Sequence, residues 1–155
     1  MTAKVVKILL TENAGESLEE HSSATLIAGK GIIGDRYYAA QGTFSDKFKD
    51  APGLEVTLIE QEQIDHFNAT RELNFTARDL RRNIVTQNID LNALVEQEFY
   101  IGKVKLRGIM LCEPCTHLEK LLDAKVIKDL THKAGLRAQI IISGDITISD
   151  IITTS

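Results

Sequence analysis

Short apolar runs, alternating or β-branched and separated by glycine- and asparagine-bearing turns, set the pattern of the chain. The runs around VVKILL (4–10), ATLIA (24–28) and LEVTLIE (54–60) read as strands, with the last alternating most clearly. Between the second and third, GKGIIGDRYY is punctuated by Gly29, Gly31 and Gly34, and the polar stretch from Gly42 to Pro52 reads as a long surface loop. EQEQIDHFNAT follows with helix-forming residues and with Ile64 and Phe67 at helical spacing, which predicts a helix. RRNIVT (81–86) and FYIGKVKLRGIML (99–111) read as further strands, with turns at Asn88–Asn92 and Gly102.

Pro114 suits the first turn of a second helix. Leu118, Leu121, Leu122, Ile127 and Leu130 then fall on roughly one face, and Gly135 is a plausible stop. The chain ends in strands at 137–143, 146–149 and 151–153, with a turn at Gly144–Asp145. Many short strands with two or three helices and no regular βαβ alternation predict a mainly β, α+β fold, a β-barrel with decorating helices. No repeat or linker interrupts the 155 residues, so a single domain over 1–155 is expected, large enough to need no disulfide.

Composition narrows the function only by exclusion. With 43% hydrophobic and 26% charged residues the chain is ordinary globular protein. It has no Trp, only 5% aromatics and a net charge of -4, so neither a stacking platform nor an overall basic footprint for nucleic acid is present. The apolar run near the N-terminus is too short for a membrane span and lacks a cleavage site, which points to a cytoplasmic protein without membrane association.

The two cysteines, Cys112 and Cys115, stand in LCEPCTHLEKLL. A bridge across so short a loop would remove little unfolded-chain entropy, so a structural disulfide explains the pair poorly. Pro114 stiffens the turn and sets Cys115 in the first turn of the predicted helix, where free amides and the helix dipole favour a thiolate. Such a thiolate suits a soft metal or sulfur transfer, and His117 lies close enough to tune it. Two small buried hydrophobes are the plain alternative. A zinc site from Cys112, Cys115, His117 and His132 would need an unusual spacing, and a thioredoxin-like dithiol pair would stand far from its usual early βαβ context. His21 and His66 read as surface residues.

Basic residues gather beside loops. Arg36 follows Gly34 and Asp35, Arg78, Arg81, Arg82 and Asn83 precede a strand, and Arg137 opens another. Guanidinium forks beside glycine-exposed amides make an anion cradle, although ordinary ion pairing accounts for most single arginines. The glycines lack dinucleotide-fingerprint spacing, and no nucleophile elbow supports a hydrolase.

Six segments in series, GIIGDRYY (31–38), LEVTLIE (54–60), LRRNIVTQNIDLNALV (80–95), FYIGKVKLRG (99–108), LCEPC (111–115) and GLRAQIIISGDITISD (135–150), resemble the MOSC domain, the C-terminal domain of molybdenum-cofactor sulfurases. The domain also occurs as small stand-alone bacterial proteins. The resemblance implies a β-barrel like the barrel domain of pyruvate kinase. In relatives such as the mitochondrial amidoxime-reducing component, the second cysteine of the Cys-Xaa-Xaa-Cys stretch ligates molybdenum held by a pterin dithiolene, and N-hydroxylated compounds are reduced. That position is Cys115. Arg81, Arg82 and Asn83 match the family's cofactor-proximal stretch without its proline, and Gly34, Asp35 and Arg36 match its Gly-Asp-Arg piece.

By this resemblance Cys115 is the metal ligand, with Cys112 and His117 beside it. Arg36, Arg82 and Arg137 would hold the pterin phosphate, and Asn83 would hydrogen-bond pterin or a small-molecule substrate. An electron-donating redox partner would complete the reaction. The family also suggests a sulfur carrier, with a persulfide on Cys115 received from a pyridoxal-phosphate-dependent cysteine desulfurase. Pyridoxal phosphate itself would need an activated lysine and a large domain, so direct binding to this chain is not expected.

Overall fold

Strand β5 (Val56–Glu60) carries a nearly unbroken apolar run, VTLIE, and four of its five residues are buried. Such a run suits a strand covered on both faces, and β5 lies inside the sheet for that reason. The computed structural model of the protein describes residues 2–12, 18–35, 38, 55–71, 76, 81–112 and 134–154. In chain order the elements are β1 (Lys4–Leu10), β2 (Glu19–His21), β3 (Ser23–Ile27), β4 (Gly31–Ile32), β5 and helix α1 (Gln61–Arg71). They continue with β6 (Ile84–Gln87), a 3-10 turn (Leu91–Leu94), β7 (Glu98–Ile101), β8 (Val104–Leu111), β9 (Leu136–Ile142), β10 (Gly144–Thr147) and β11 (Ile152–Thr153).

Eight strands form one sheet in the order β11-β7-β8-β9-β5-β6-β1-β2, and β10-β3-β4 form a second. All pairs are antiparallel except β5 with β6, which α1 connects as a crossover. The closed barrel expected from the sequence is therefore corrected to an open mixed sheet. Among the described residues, β1 meets the β11 end of the sheet through the isolated bridge Lys4–Ile151, backed by hydrogen bonds such as Val5 N to Asp150 O at 3.0 Å. The two-residue β11 leaves too little ladder to complete the ring. Among the described residues no helix is long and apolar enough to cross a membrane.

The two faces of the large sheet bury different clusters. Val5, Ile8, Val56, Leu58, Ile84, Leu106, Leu136 and Ala138 face Leu26, Ile32 and Ile146 of the small sheet. Leu9, Ile59, Val85 and Cys112 face the other way, with Ile64 and Phe67 of α1, the pair that helical spacing marks. A bulge decides which side Cys112 takes. Val104, Leu106 and Gly108 point inward in alternation, but the β8–β9 register slips between Gly108 and Met110. The slip turns Met110 outward, Leu111 inward and Cys112 onto the α1 side.

Gly144 and Asp145 do not make the turn that their composition suggests. They open β10, whose register pairs Gly144 with Leu26 and Asp145 with Thr25, so the chain leaves the large sheet for the small one. Likewise β6 begins at Ile84, later than the predicted strand, because Arg81 adopts φ 59° and the backbone there is not extended. The second predicted helix, beginning at Pro114, lies outside the described residues.

Candidate functional site

The starts of the parallel strands β5 and β6 and the end of β1 share one edge of the sheet, while the end of β8 and the start of β9, antiparallel to β5, lie level with Leu58 in its middle. Register places Arg137 directly opposite Thr57, and opposite Met110 on its other side. Leu136 and Ala138 point inward, so Arg137 projects from the α1 face, half-buried. Thr57 in turn meets Asn83: the Thr57 amide and hydroxyl both donate to Asn83 Oδ1 at 3.1 Å, and the Asn83 amide donates to Thr57 Oγ1 at 3.0 Å. Asn83 Nδ2 donates to Leu9 O and to Asp35 Oδ1, each at 3.1 Å. Asp35 Oδ1 also accepts from Thr11 N at 3.3 Å.

This network holds its members out of water. Asn83 is completely buried and Asp35 is 1% exposed. Both donors of the Asn83 amide and both acceptor positions of its oxygen are engaged, so the side chain has no capacity left for pterin or substrate. Its geometry is that of a brace between β1, β5, β6 and the residue after the β4 turn.

Arg82 stands beside that brace and is 5% exposed. Its Nε donates to Ala134 O at 2.7 Å. Among the described residues neither terminal nitrogen of its guanidinium has a hydrogen-bond or ion-pair partner. These terminal donors keep contact with solvent, so the Nε bond to a neutral carbonyl fixes the guanidinium while leaving its outer fork open to an anion. Arg81, 8% exposed, immediately precedes it.

Cys112 approaches Arg82 through its backbone, donating from N to Gly135 O at 2.8 Å, one residue from the carbonyl that Arg82 holds. Its sulfur is fully buried in the apolar cluster beneath α1. Gly135 has φ 110°, and a Cβ there would lie 2.0 Å from Leu58 O, so only glycine lets β9 start this close to β5. The structure therefore brings together Asp35, Arg81, Arg82, Asn83, Arg137 and Cys112. Gly34 lies on the outer side of Asp35, at the wall of a neighbouring cleft. Arg36, Cys115 and His117, and the His132 and Arg78 of the wider patterns, lie outside the described residues. Among the described residues no group of three His, Cys, Asp or Glu side chains could hold a metal ion.

Thr57 and Thr11 complete the network beyond the residues that the sequence patterns single out. Thr57 is the polar interruption in an apolar strand, which is a readable signal; Thr11 contributes a backbone amide, for which no sequence signal exists.

The MOSC domain family model matches residues 45–153. The chain belongs to the MOSC domain family. This MOSC protein is similar in structure to the YuaD protein of Bacillus subtilis, with a TM-score of 0.81 at 14% identity over 98% of this chain and 94% of that one. It is also similar to YiiM from Geobacillus stearothermophilus (TM-score 0.71, 12% identity, 99% of this chain and 75% of that one). YiiM from Escherichia coli compares at TM-score 0.69 and 14% identity, over 98% of this chain and 69% of that one. Among curated proteins no sequence matches at a significant level. At these identities the solved structures establish a shared fold, and the family membership rests on the sequence match.

Proposed function

We propose that this MOSC domain binds molybdenum cofactor through the Cys115 thiolate and reduces N-hydroxylated compounds. The observation that carries the reading is Arg82, fixed by its Nε bond to Ala134 O with its terminal nitrogens left to accept an anion. A phosphate matches it in charge, and a guanidinium presents the matching fork of donors. Arg137 adds a second cation on the same face of the sheet. The donor set thus suits a pterin phosphate, and a thiolate suits molybdenum. When bound, the cofactor would supply two-electron redox chemistry at the metal.

The chain's own residues divide the remaining work. Arg82 and Arg137 bind and orient the phosphate. The Asp35–Asn83–Thr57 brace fixes the backbone from which Arg82 projects and excludes water behind it. Cys112 anchors the end of β8 through Gly135.

Burial of Cys112 speaks against a dithiol exchange mechanism, which needs both sulfurs within reach of a partner. A sulfur-carrier role for Cys115 is the second reading, since the arginines could equally dock an anionic acceptor. Reductase assays with N-hydroxylated substrates and a chemical electron donor separate the readings. Cys115→Ser is expected to abolish reduction and Cys112→Ser to leave it measurable. Activity dependent on both cysteines would favour the dithiol mechanism. A labile sulfane sulfur on Cys115, without reductase activity, would favour the carrier.

A further inference from the structure

Two adjacent peptide carbonyls tie Arg82 to the end of β8. Arg82 Nε donates to Ala134 O at 2.7 Å, and Cys112 N donates to Gly135 O at 2.8 Å. The Ala134 side chain, 2% exposed, belongs to the same apolar cluster as the fully buried Cys112, together with Ile64 and Phe67 of α1. Ala134 thus serves the packing around Cys112 with its methyl group and holds Arg82 with its carbonyl. The joint between the two carbonyls has no slack. Gly135 adopts φ 110° and lies so close to Leu58 that a Cβ would meet Leu58 O at 2.0 Å. Leu136 then pairs with Leu58 on one side and Leu111 on the other. A guanidinium is planar and rigid, so whatever fixes its terminal nitrogens also fixes Nε and the carbonyl that Nε holds.

We infer that anion occupancy at Arg82 controls access to the Cys112 thiol. The sulfur is fully buried, and it reaches solvent when the Cys112–Gly135 bond opens and Ala134 leaves the cluster. That is a local opening where β8 ends and β9 begins, short of global unfolding. Departure of Ala134 takes away the carbonyl that orients the guanidinium, so an anion seated on the terminal nitrogens favours the closed form. The coupling is reciprocal, and closure around Cys112 tightens the anion seat. The inference rests on the proposed reading of Arg82 as a phosphate seat and adds its regulation: the thiol is shielded when the seat is filled and reactive when it is empty.

The test uses inorganic phosphate and needs no molybdenum. Full-length Cys115→Ser protein carries Cys112 as its only thiol. Its alkylation by iodoacetamide is followed at fixed pH and ionic strength, across a phosphate series and at low urea. For an anion that binds the closed form only, phosphate at ten times its dissociation constant is expected to slow alkylation about tenfold. Hydrogen exchange of the Cys112 amide is expected to slow by the same factor. The alkylation rate is expected to stay nearly flat in low urea, because local opening exposes little surface. Adding Arg82→Met is expected to remove the phosphate dependence, and the Cys115→Ser series decides the matter without it should that variant fold poorly. Phosphate that raises the melting temperature without slowing alkylation overturns the coupling and leaves the phosphate seat standing. Alkylation that climbs with urea along the global unfolding slope, or phosphate protection that survives Arg82→Met, overturns the coupling as well. Phosphate that changes neither melting nor alkylation overturns both readings.

Discussion

Arg82 is held by one backbone carbonyl, with its terminal donors open. An anion that binds those donors in the folded state only stabilises the protein by mass action. Inorganic phosphate is therefore expected to raise the melting temperature of the wild type, and Arg82→Met is expected to abolish the rise. Thermal scans across a phosphate series at constant ionic strength check this. A charged residue elsewhere shows the opposite economy. Glu60 is only part-buried, and burial is the main cause holding its carboxyl above the ordinary range; Asp90 and Glu62 add to it, while the Leu91 amide, 3.2 Å from Oε2, pulls the other way. With the folded value raised, protonation favours the folded state, so this group's contribution is full below about 4.5 and is lost as pH rises through the folded value. Glu60→Gln keeps an acceptor for Leu91 and is expected to stabilise the protein at neutral pH by up to about 1 kcal/mol. Denaturant unfolding should show that gain vanishing as pH falls below the usual carboxylate range.

At the level of elements, the site depends on where strands begin, end and slip. The bulge between Gly108 and Met110 sends Cys112 to the α1 face, and Gly108 is itself held by the 3-10 turn: a Cβ there would lie 2.0 Å from Leu94 O. Gly108→Ala is expected to cost about 3 kcal/mol, read as a lowered midpoint in denaturant. Glu55 ties the two sheets together, because its Oε1 accepts from Gly29 N in the β3–β4 turn and from Ile140 N in β9, both at 3.0 Å. Glu55→Ala leaves a buried amide unpaired and is expected to lose about 2 kcal/mol or more by the same measurement.

Much of this layer was legible in the sequence. The alternation of LEVTLIE, the helical spacing of Ile64 and Phe67 and the Gly102 turn each translate directly into β5, α1 and the β7–β8 hairpin. What local pattern could not carry is pairing at long range. Alternation in β8 gives no warning that its phase slips after Gly108, and Gly144–Asp145 has turn composition yet pairs with β3 more than a hundred residues earlier. The site shows the same division. Arg82, Asn83 and Arg137 stand out as residue types, but only the fold shows Asn83 saturated by Thr57, Leu9 and Asp35, and Arg82 left with terminal nitrogens to spare.

Over the whole molecule, the open sheet sets Arg137 on its α1 face, and Arg82 reaches the same neighbourhood through its bond to Ala134 O. Asp35 lies behind them, bonded to Asn83 and to the Thr11 amide. Membership of the MOSC family makes molybdenum cofactor the anion to test at these arginines. The decisive measurement is the molybdenum content per chain, by elemental mass spectrometry, of the wild type, Cys115→Ala and Arg82→Met produced in a host that makes the cofactor. Near-stoichiometric molybdenum in the wild type, lost in Cys115→Ala and reduced in Arg82→Met, is the expected result. A wild-type protein without molybdenum, or one whose metal survives both substitutions, would contradict the proposed cofactor site.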